Sequence, residues 1–159
     1  MKANDAVRYD RKDALCLSVE WPNWQLYWNF HLLDKARPWA IIQLHHAVLW
    51  NKRVCFNTTN AADNTISSQT FEARQGVAKF LEMFEDWGDK KRANLGIGQH
   101  LTTNPQAEVL CLDSIEPAYF TAVHLDNYEV SNHYKAAYPG ANVRYDSTYF
   151  KYRSDWRHW

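Results

Sequence analysis

The 159-residue sequence has no excess of either charge, because 18 Lys and Arg residues balance 18 Asp and Glu residues. A protein whose whole surface binds phosphates needs a cationic excess, so that class is excluded, while a local basic patch is not. No apolar run approaches the roughly 18 residues that a membrane span requires. The first residues are charged where a secretory signal would be apolar, which predicts a cytoplasmic protein with no membrane partner.

Cysteine is also scarce. Cys16, Cys55 and Cys111 lie far apart among apolar residues, and an odd number of this kind cannot form a disulfide framework. No Cys-x-x-Cys or Cys/His spacing indicates zinc. His45 and His46 are adjacent at the end of a predicted strand, so we expect them to point to opposite faces and not to chelate an ion together. The sequence therefore predicts buried, reduced thiols and no metal site.

Short apolar segments separated by turn residues run through the whole chain, and neither a repeat nor a linker divides it. Their apolar patterning predicts strands at 14–20, 37–45, 53–56, 106–113 and 122–130. Many short strands with few helices indicate a single α+β domain built on small, mostly antiparallel sheets.

Helices and loops are predicted between these strands. Apolar residues recur at three- and four-residue spacing over 69–86, which predicts the longest helix, with shorter ones within 21–30 and 131–140. The segment 87–105 has charge, three glycines and no periodicity, so we expect a long exposed loop, a type that is often functional. The tail from residue 142 is expected to add a pair of strands.

Aromatic residues are unusually frequent, with eight Trp, nine Tyr and seven Phe. Several are concentrated in WPNWQLYWNF (21–30) and in YDSTYFKYRSDWRHW (145–159). A core of this size does not need eight tryptophans. The surplus rings either stack on bases or a nicotinamide, or they enlarge a small core.

The strongest chemical candidate is Glu108. Gln106 and Glu108 are two residues apart on a predicted strand, so they share a face while Ala107 and Val109 take the other. A carboxylate on an otherwise apolar strand is costly to bury, and such a group stabilises an oxocarbenium ion or holds a ribose hydroxyl in glycosyl transfer. The alternative is a solvated glutamate on an edge strand.

A small basic run, Lys90, Lys91 and Arg92, lies in the predicted loop just before the Glu108 strand. Its position would bring three cations close to a polyanionic substrate, although such runs are also found simply as solvated surface charge.

The order of motifs resembles one known family. ALCLSVEWPNWQLYW is followed by RPWAIIQLHHAVLW, by RVCFNTTNAADN, and then by TTNPQAEVLCLDSIEPAYF. This order resembles the DarT family, which are NAD-dependent ADP-ribosyltransferases that modify bases in single-stranded DNA, usually as toxins of toxin–antitoxin pairs. The tail YFKYRSDWRHW resembles the C-terminal end of one branch of that family.

The resemblance implies an ADP-ribosyltransferase-like fold, with flanking helices and a cleft between two small sheets in which NAD binds as co-substrate. By position, Glu108 in NPQAEVL would be the catalytic glutamate and Gln106 the partner that positions the acceptor base. Asn60 in the NAA motif and Asn23 would lie around the NAD pocket. Arg8, in ND-x-x-R-x-D, resembles an arginine that contacts NAD or DNA.

The family pattern also has a strand with a His-x-Thr-His-like motif before the segment that contains Arg8, and the sequence lacks this motif. The resemblance therefore predicts a single, N-terminally short domain over residues 1–159. Its implied partners are single-stranded DNA, modified at thymine or guanine, and an antitoxin that removes the ADP-ribose. Two alternatives remain: an inactive relative that binds single-stranded nucleic acid, and an ADP-ribosyltransferase that modifies protein.

Overall fold

The computed structural model describes residues 14–159, which form an α+β fold with two three-stranded sheets. The strands are Leu15–Leu17 (β1), Ala40–Leu44 (β2), Val54–Asn57 (β3), Glu108–Cys111 (β4), Phe120–Leu125 (β5) and Val143–Tyr145 (β6). The α-helices in the same range are Trp24–Leu33 (α1), Val48–Asn51 (α2), Asn64–Ser67 (α3), Val77–Glu82 (α4), Arg92–Leu95 (α5) and Tyr128–Ala137 (α6).

The first sheet has the order β1-β4-β3 and is antiparallel throughout, which places β4 at its centre. The second has the order β2-β5-β6, with an antiparallel β2/β5 pair and a parallel β5/β6 pair. The expected α+β class with small, mostly antiparallel sheets is therefore confirmed. The five strands predicted from the apolar patterning are all present; four are shorter than their predicted ranges, and β3 has the predicted length but is shifted by one residue.

Both faces of the first sheet are covered by apolar residues. On one face Leu110 and Cys55 pack with Ile66 and Phe71. On the other, Val109 and Cys111 pack with Met83 and their neighbours on β3. Because β4 is central and covered on both faces, all four of its residues are buried. The predicted alternation along this strand, with Glu108 and Val109 on opposite faces, is confirmed by the two clusters.

The continuous helix predicted over 69–86 is wrong. A 3-10 turn at Glu72–Arg74 and the six-residue α4 replace it, and Gly76 separates them at φ +91°. This positive φ suits glycine and breaks a right-handed helix. Phe71 therefore packs in one cluster beside the sheet and Phe80 in the other.

The exposed loop predicted over 87–105 is correct only for its first part, since most of residues 88–100 are exposed. The segment contains α5, and residues 101–105 are all buried immediately before β4. The tail supplies only one strand, β6, instead of a pair, and then continues in 3-10 turns. None of the helices in residues 14–159 combines the length and the apolar character that a bilayer crossing requires.

A buried ion pair in the tail holds residues 101–105 in place. Arg153 and Asp155 are each 1% exposed, and two guanidinium nitrogens donate to the carboxylate at 2.6 and 2.7 Å. The guanidinium also donates to the carbonyl oxygens of Thr102 and Thr103 at 2.7 and 2.8 Å. Burial acts to raise the pKa of Asp155, but the hydrogen bonds from Arg153 and Trp159 outweigh it and hold the pKa below its ordinary value.

We expect Asp155→Ala to lower the free energy of unfolding by about 3–5 kcal/mol, because it leaves the Arg153 charge buried without its partner. Urea unfolding at neutral pH measures this change. The matched control is Glu82→Ala, which breaks the exposed Lys79–Glu82 pair and should cost at most about 1 kcal/mol. Equal, small losses for both variants would show that the buried pair does not hold the tail in place.

Candidate active site

The carboxylate of Glu108 is buried at the start of the central strand and is 3% exposed. Its Oε2 accepts a hydrogen bond from the backbone N–H of Ala61 at 2.9 Å, and its Oε1 accepts one from Asn60 Nδ2 at 3.3 Å. Cys16 Sγ lies 4.0 Å from Oε2. The interpretation of Glu108 as a solvated edge-strand residue is therefore wrong, since this strand has a neighbour on each side.

Burial raises the pKa of Glu108 above its ordinary value of 4.5. The hydrogen bond from Ala61 and the nearby Asn23 amide both act in the opposite direction but do not cancel the effect of burial. Within residues 14–159 no Lys or Arg forms an ion pair with this carboxylate. The group is thus a carboxylate kept in an apolar site with few compensating charges.

The backbone of Glu108 is fixed from behind by a second set of polar side chains. Asn57 Nδ2 donates to the Glu108 carbonyl at 3.1 Å, and Asn57 Oδ1 accepts from Arg74 at 2.7 Å. Arg74 is buried and also donates to the Thr70 carbonyl at 3.1 Å. Asn57 and Arg74 were not predicted from the sequence, because a polar residue at a strand end and an arginine in a helical pattern are both common on surfaces.

Glu108 borders a cavity of about 220 Å³ whose other walls come from β1, β2 and α1. Asn23 begins α1, where its Oδ1 accepts from the Leu26 N–H at 3.1 Å. Its Nδ2 is buried and makes no hydrogen bond within residues 14–159, and Trp39 Nε1 on the same cavity also lacks a partner there. Buried donors without partners are uncommon and suit the hydroxyl or carbonyl oxygens of a ligand.

The other predicted site residues are placed as follows. Asn60 contacts Glu108 directly, and its Oδ1 accepts from the Ala62 N–H at 2.7 Å, which shapes the NAA turn. Gln106 lies in the turn before β4 rather than on the strand, and its backbone N–H donates to Asn104 Oδ1 at 2.8 Å. Arg8 lies outside the described residues.

The basic run is engaged mainly within the protein. Lys90 and Lys91 lie 3.6 and 3.2 Å from the carboxylates of Asp89 and Asp86. Arg92 donates to the carbonyl oxygens of Gly98 and Gln99 at 2.9 and 3.0 Å and to Thr103 Oγ1 at 3.1 Å. Arg92 thereby holds the segment that leads into β4.

A second cavity of about 750 Å³ shares the β1 wall with the smaller one and extends between the two sheets. His45 and His46 line it, just after the end of β2, and their rings stack with centroids 4.2 Å apart. The expectation that they point to opposite faces is therefore wrong, because they lie in a turn rather than on a strand. Among residues 14–159 no three His, Cys, Asp or Glu side chains are grouped to hold a metal ion.

This geometry suits one kind of chemistry. A carboxylate in an apolar cavity stabilises positive charge that develops beside it much more strongly than it would in water. The donor groups of Asn23 and Trp39 on the same cavity complement a sugar or carboxamide. The site can therefore support the departure of a leaving group from a sugar carbon.

Comparison with known proteins identifies one family. The sequence model of the DarT family, described as ssDNA thymidine ADP-ribosyltransferase, matches residues 20–156. Among solved structures, Thermosipho africanus DarTG in complex with ADP-ribose is similar, with a TM-score of 0.44 and 19% identity. The similarity covers 70% of this chain, which spans 28% of that one. A search of curated proteins gives no significant match.

The family match covers most of the chain and includes the strand of Glu108, the NAA turn and the helix that begins at Asn23. The chain belongs to the DarT family of ADP-ribosyltransferases.

Proposed function

We propose that this protein, as one DarT-like domain, transfers ADP-ribose from NAD to a thymine base in single-stranded DNA, with nicotinamide as the leaving group. The observation that carries the proposal is the buried Glu108 carboxylate, which borders a cavity where donors of Asn23 and Trp39 have no hydrogen-bond partner among residues 14–159. Thymine is the base that the family description specifies. A single strand is the favoured substrate because a duplex would first have to give up stacking and pairing.

Each residue around the smaller cavity has a distinct proposed role. When bound, NAD supplies the ADP-ribosyl group. Glu108 accepts a hydrogen bond from a ribose hydroxyl, and its negative charge stabilises the positive charge that develops on the ribosyl carbon. Asn23 donates to the co-substrate from its buried Nδ2, and Asn60 holds the carboxylate in position. Gln106, in the turn before β4, positions the acceptor base.

Contacts to the DNA backbone are proposed for Lys90 and Lys91, whose ion pairs to neighbouring carboxylates are exposed and therefore weak. The Arg92 guanidinium donates to two carbonyl oxygens and a hydroxyl, so we assign this residue to holding the segment before β4. Arg8 is proposed to contact NAD or DNA. The role proposed for the protein is that of a toxin whose antitoxin hydrolyses the ADP-ribose from DNA.

We expect Glu108→Ala to lower the rate of ADP-ribose transfer by at least about 10²–10³-fold, because it removes the charge that stabilises the transition state. The measurement uses labelled NAD with single-stranded DNA and a protein mixture as separate acceptors. Glu129→Gln, an exposed change on α6, is the matched control. Activity that survives in Glu108→Ala would refute the assignment, and label on protein alone would indicate a protein-modifying enzyme.

We expect Glu108→Gln to raise the free energy of unfolding at neutral pH. Burial raises the pKa of Glu108 in the folded state, so wild-type stability falls as pH rises from the unfolded pKa through the folded pKa. The amide has no such dependence and can still accept from the Ala61 N–H. Each unit of pKa elevation corresponds to about 1.4 kcal/mol.

Urea unfolding of wild type and Glu108→Gln at about pH 4 and about pH 8 measures this difference. The free energy of unfolding of Glu108→Gln should exceed that of wild type by a small amount at the lower pH and by the largest amount at the higher pH. Glu129→Gln, whose carboxylate is exposed, should show no comparable trend. A variant that is less stable than wild type at both pH values would contradict the prediction.

We expect the double change Lys90→Ala, Lys91→Ala to weaken binding of single-stranded DNA. The slope of log K against log salt should decrease by about 0.7 for each phosphate contact that is lost. Lys135→Ala on α6 is the control, and fluorescence anisotropy over a salt series is the measurement. An unchanged slope in the double variant would show that Lys90 and Lys91 do not contact the phosphates.

A further inference from the structure

The tail presents two neighbouring aromatic rings at the surface. Tyr152 is 49% exposed and Trp156 is 42% exposed, and their ring centroids lie 5.3 Å apart. They point outwards because Arg153 and Asp155, which lie between them in sequence, point inwards as the buried ion pair. Two adjacent exposed rings leave apolar area in water, which is typical of a surface that contacts another molecule.

Both rings are held in fixed positions. Tyr152 stacks on Trp28 with centroids 5.9 Å apart and packs edge-on against Trp24 at 6.1 Å. These two tryptophans are half-buried on α1. Trp156 begins a 3-10 turn, and its backbone N–H donates to the Arg153 carbonyl at 3.0 Å. A flat ligand that stacks on rings already fixed in this way costs the protein little side-chain entropy.

Two cations accompany these rings, and neither forms an ion pair with another described residue. Lys151 is exposed, and the Arg157 guanidinium carbon lies over the Trp156 ring, 5.4 Å from its centroid. Asp155 is the one acidic side chain among residues 147–159, and its partner in the buried pair neutralises it. Flat rings beside uncompensated positive charge are the combination that binds single-stranded nucleic acid. This tail surface consists of Lys151, Tyr152, Trp156 and Arg157.

The tail surface adjoins both cavities through α1 and the segment before it. Trp21 Nε1 donates to the Lys151 carbonyl at 3.3 Å, and Trp21 lines the larger cavity. Trp24, which packs against Tyr152, directly follows Asn23 on the smaller cavity. A strand that enters the site can therefore place its neighbouring nucleotides on the tail.

We propose that the tail surface binds the nucleotides next to the acceptor base in single-stranded DNA. Their bases stack on Tyr152 and Trp156, while Lys151 and Arg157 contact their phosphates. This assignment rests on the proposed function, because that function supplies single-stranded DNA as the substrate.

The test measures affinity by fluorescence anisotropy for two labelled strands of equal length. One carries a base at every position, and the other carries a single thymine flanked by abasic positions. We expect Trp156→Leu to weaken binding of the first strand by about tenfold, as for one lost base stack, and to leave binding of the abasic strand unchanged. Trp156→Phe keeps a ring and should restore most of the affinity. An equal loss on both strands, or no loss on either, would overturn the proposal.

Tyr138→Leu is the matched control, since this exposed ring packs against Tyr134 on α6 and should not affect either strand. Equal losses in Tyr138→Leu and Trp156→Leu would overturn the proposal.

The cations are tested over a salt series. The double change Lys151→Ala, Arg157→Ala should decrease the slope of log K against log salt by about 0.7 for each phosphate contact that is lost. An unchanged slope would overturn the assignment of these two residues to the phosphates.

Transfer of ADP-ribose is measured separately, with labelled NAD and the strand that has all its bases. If the wild type transfers label while Trp156→Leu binds DNA as tightly as the wild type, the tail surface is overturned and the proposed function stands. If the wild type transfers no label to any acceptor, the proposed function fails. Binding that depends on the Trp156 ring and on the bases would still support the tail surface in that case.

Discussion

The buried carboxylate of Glu108 imposes the main constraint on this fold, because a charge taken out of water needs hydrogen-bond donors. The Ala61 N–H supplies one donor at 2.9 Å, and Asn60 supplies a second, weaker one. A turn with small residues after β3 is needed for the backbone to come this close, and Ala61 is itself fully buried. The NAA motif therefore acts as a backbone cradle for the acidic side chain.

Hydrogen bonds from several buried or partly buried side chains also hold the surroundings of this strand in place. Asn57 and Arg74 hold the Glu108 backbone from behind. Arg153 in the tail holds the two carbonyls that precede the turn into β4, and Arg92 holds the segment before them. Residues far apart in sequence thus act on one short strand. A carboxylate that stabilises developing charge needs such fixed geometry, since preorganisation is the source of its effect.

The surplus of aromatic residues has two uses in the structure. Tyr27 packs against both Trp39 and Phe150 where α1 meets the tail, and Phe150 is buried in the core. Trp21 and Tyr149 instead form part of the wall of the larger cavity, beside the buried His124. The enlargement of the core therefore applies to one group of rings, while stacking on bases or a nicotinamide stays a prediction.

Local patterns in the sequence determined the strands, the α+β class, the alternation of Glu108 and Val109, and the family resemblance that the family match confirms. These depend on periodicity and short motifs, which neighbouring residues encode. Only the tertiary structure decided that β4 is central, that residues 101–105 are buried, and that Gly76 interrupts the predicted helix. Arg74, Arg153 and His124 gain partners many residues away, and no local pattern distinguishes such a buried polar residue from an exposed one.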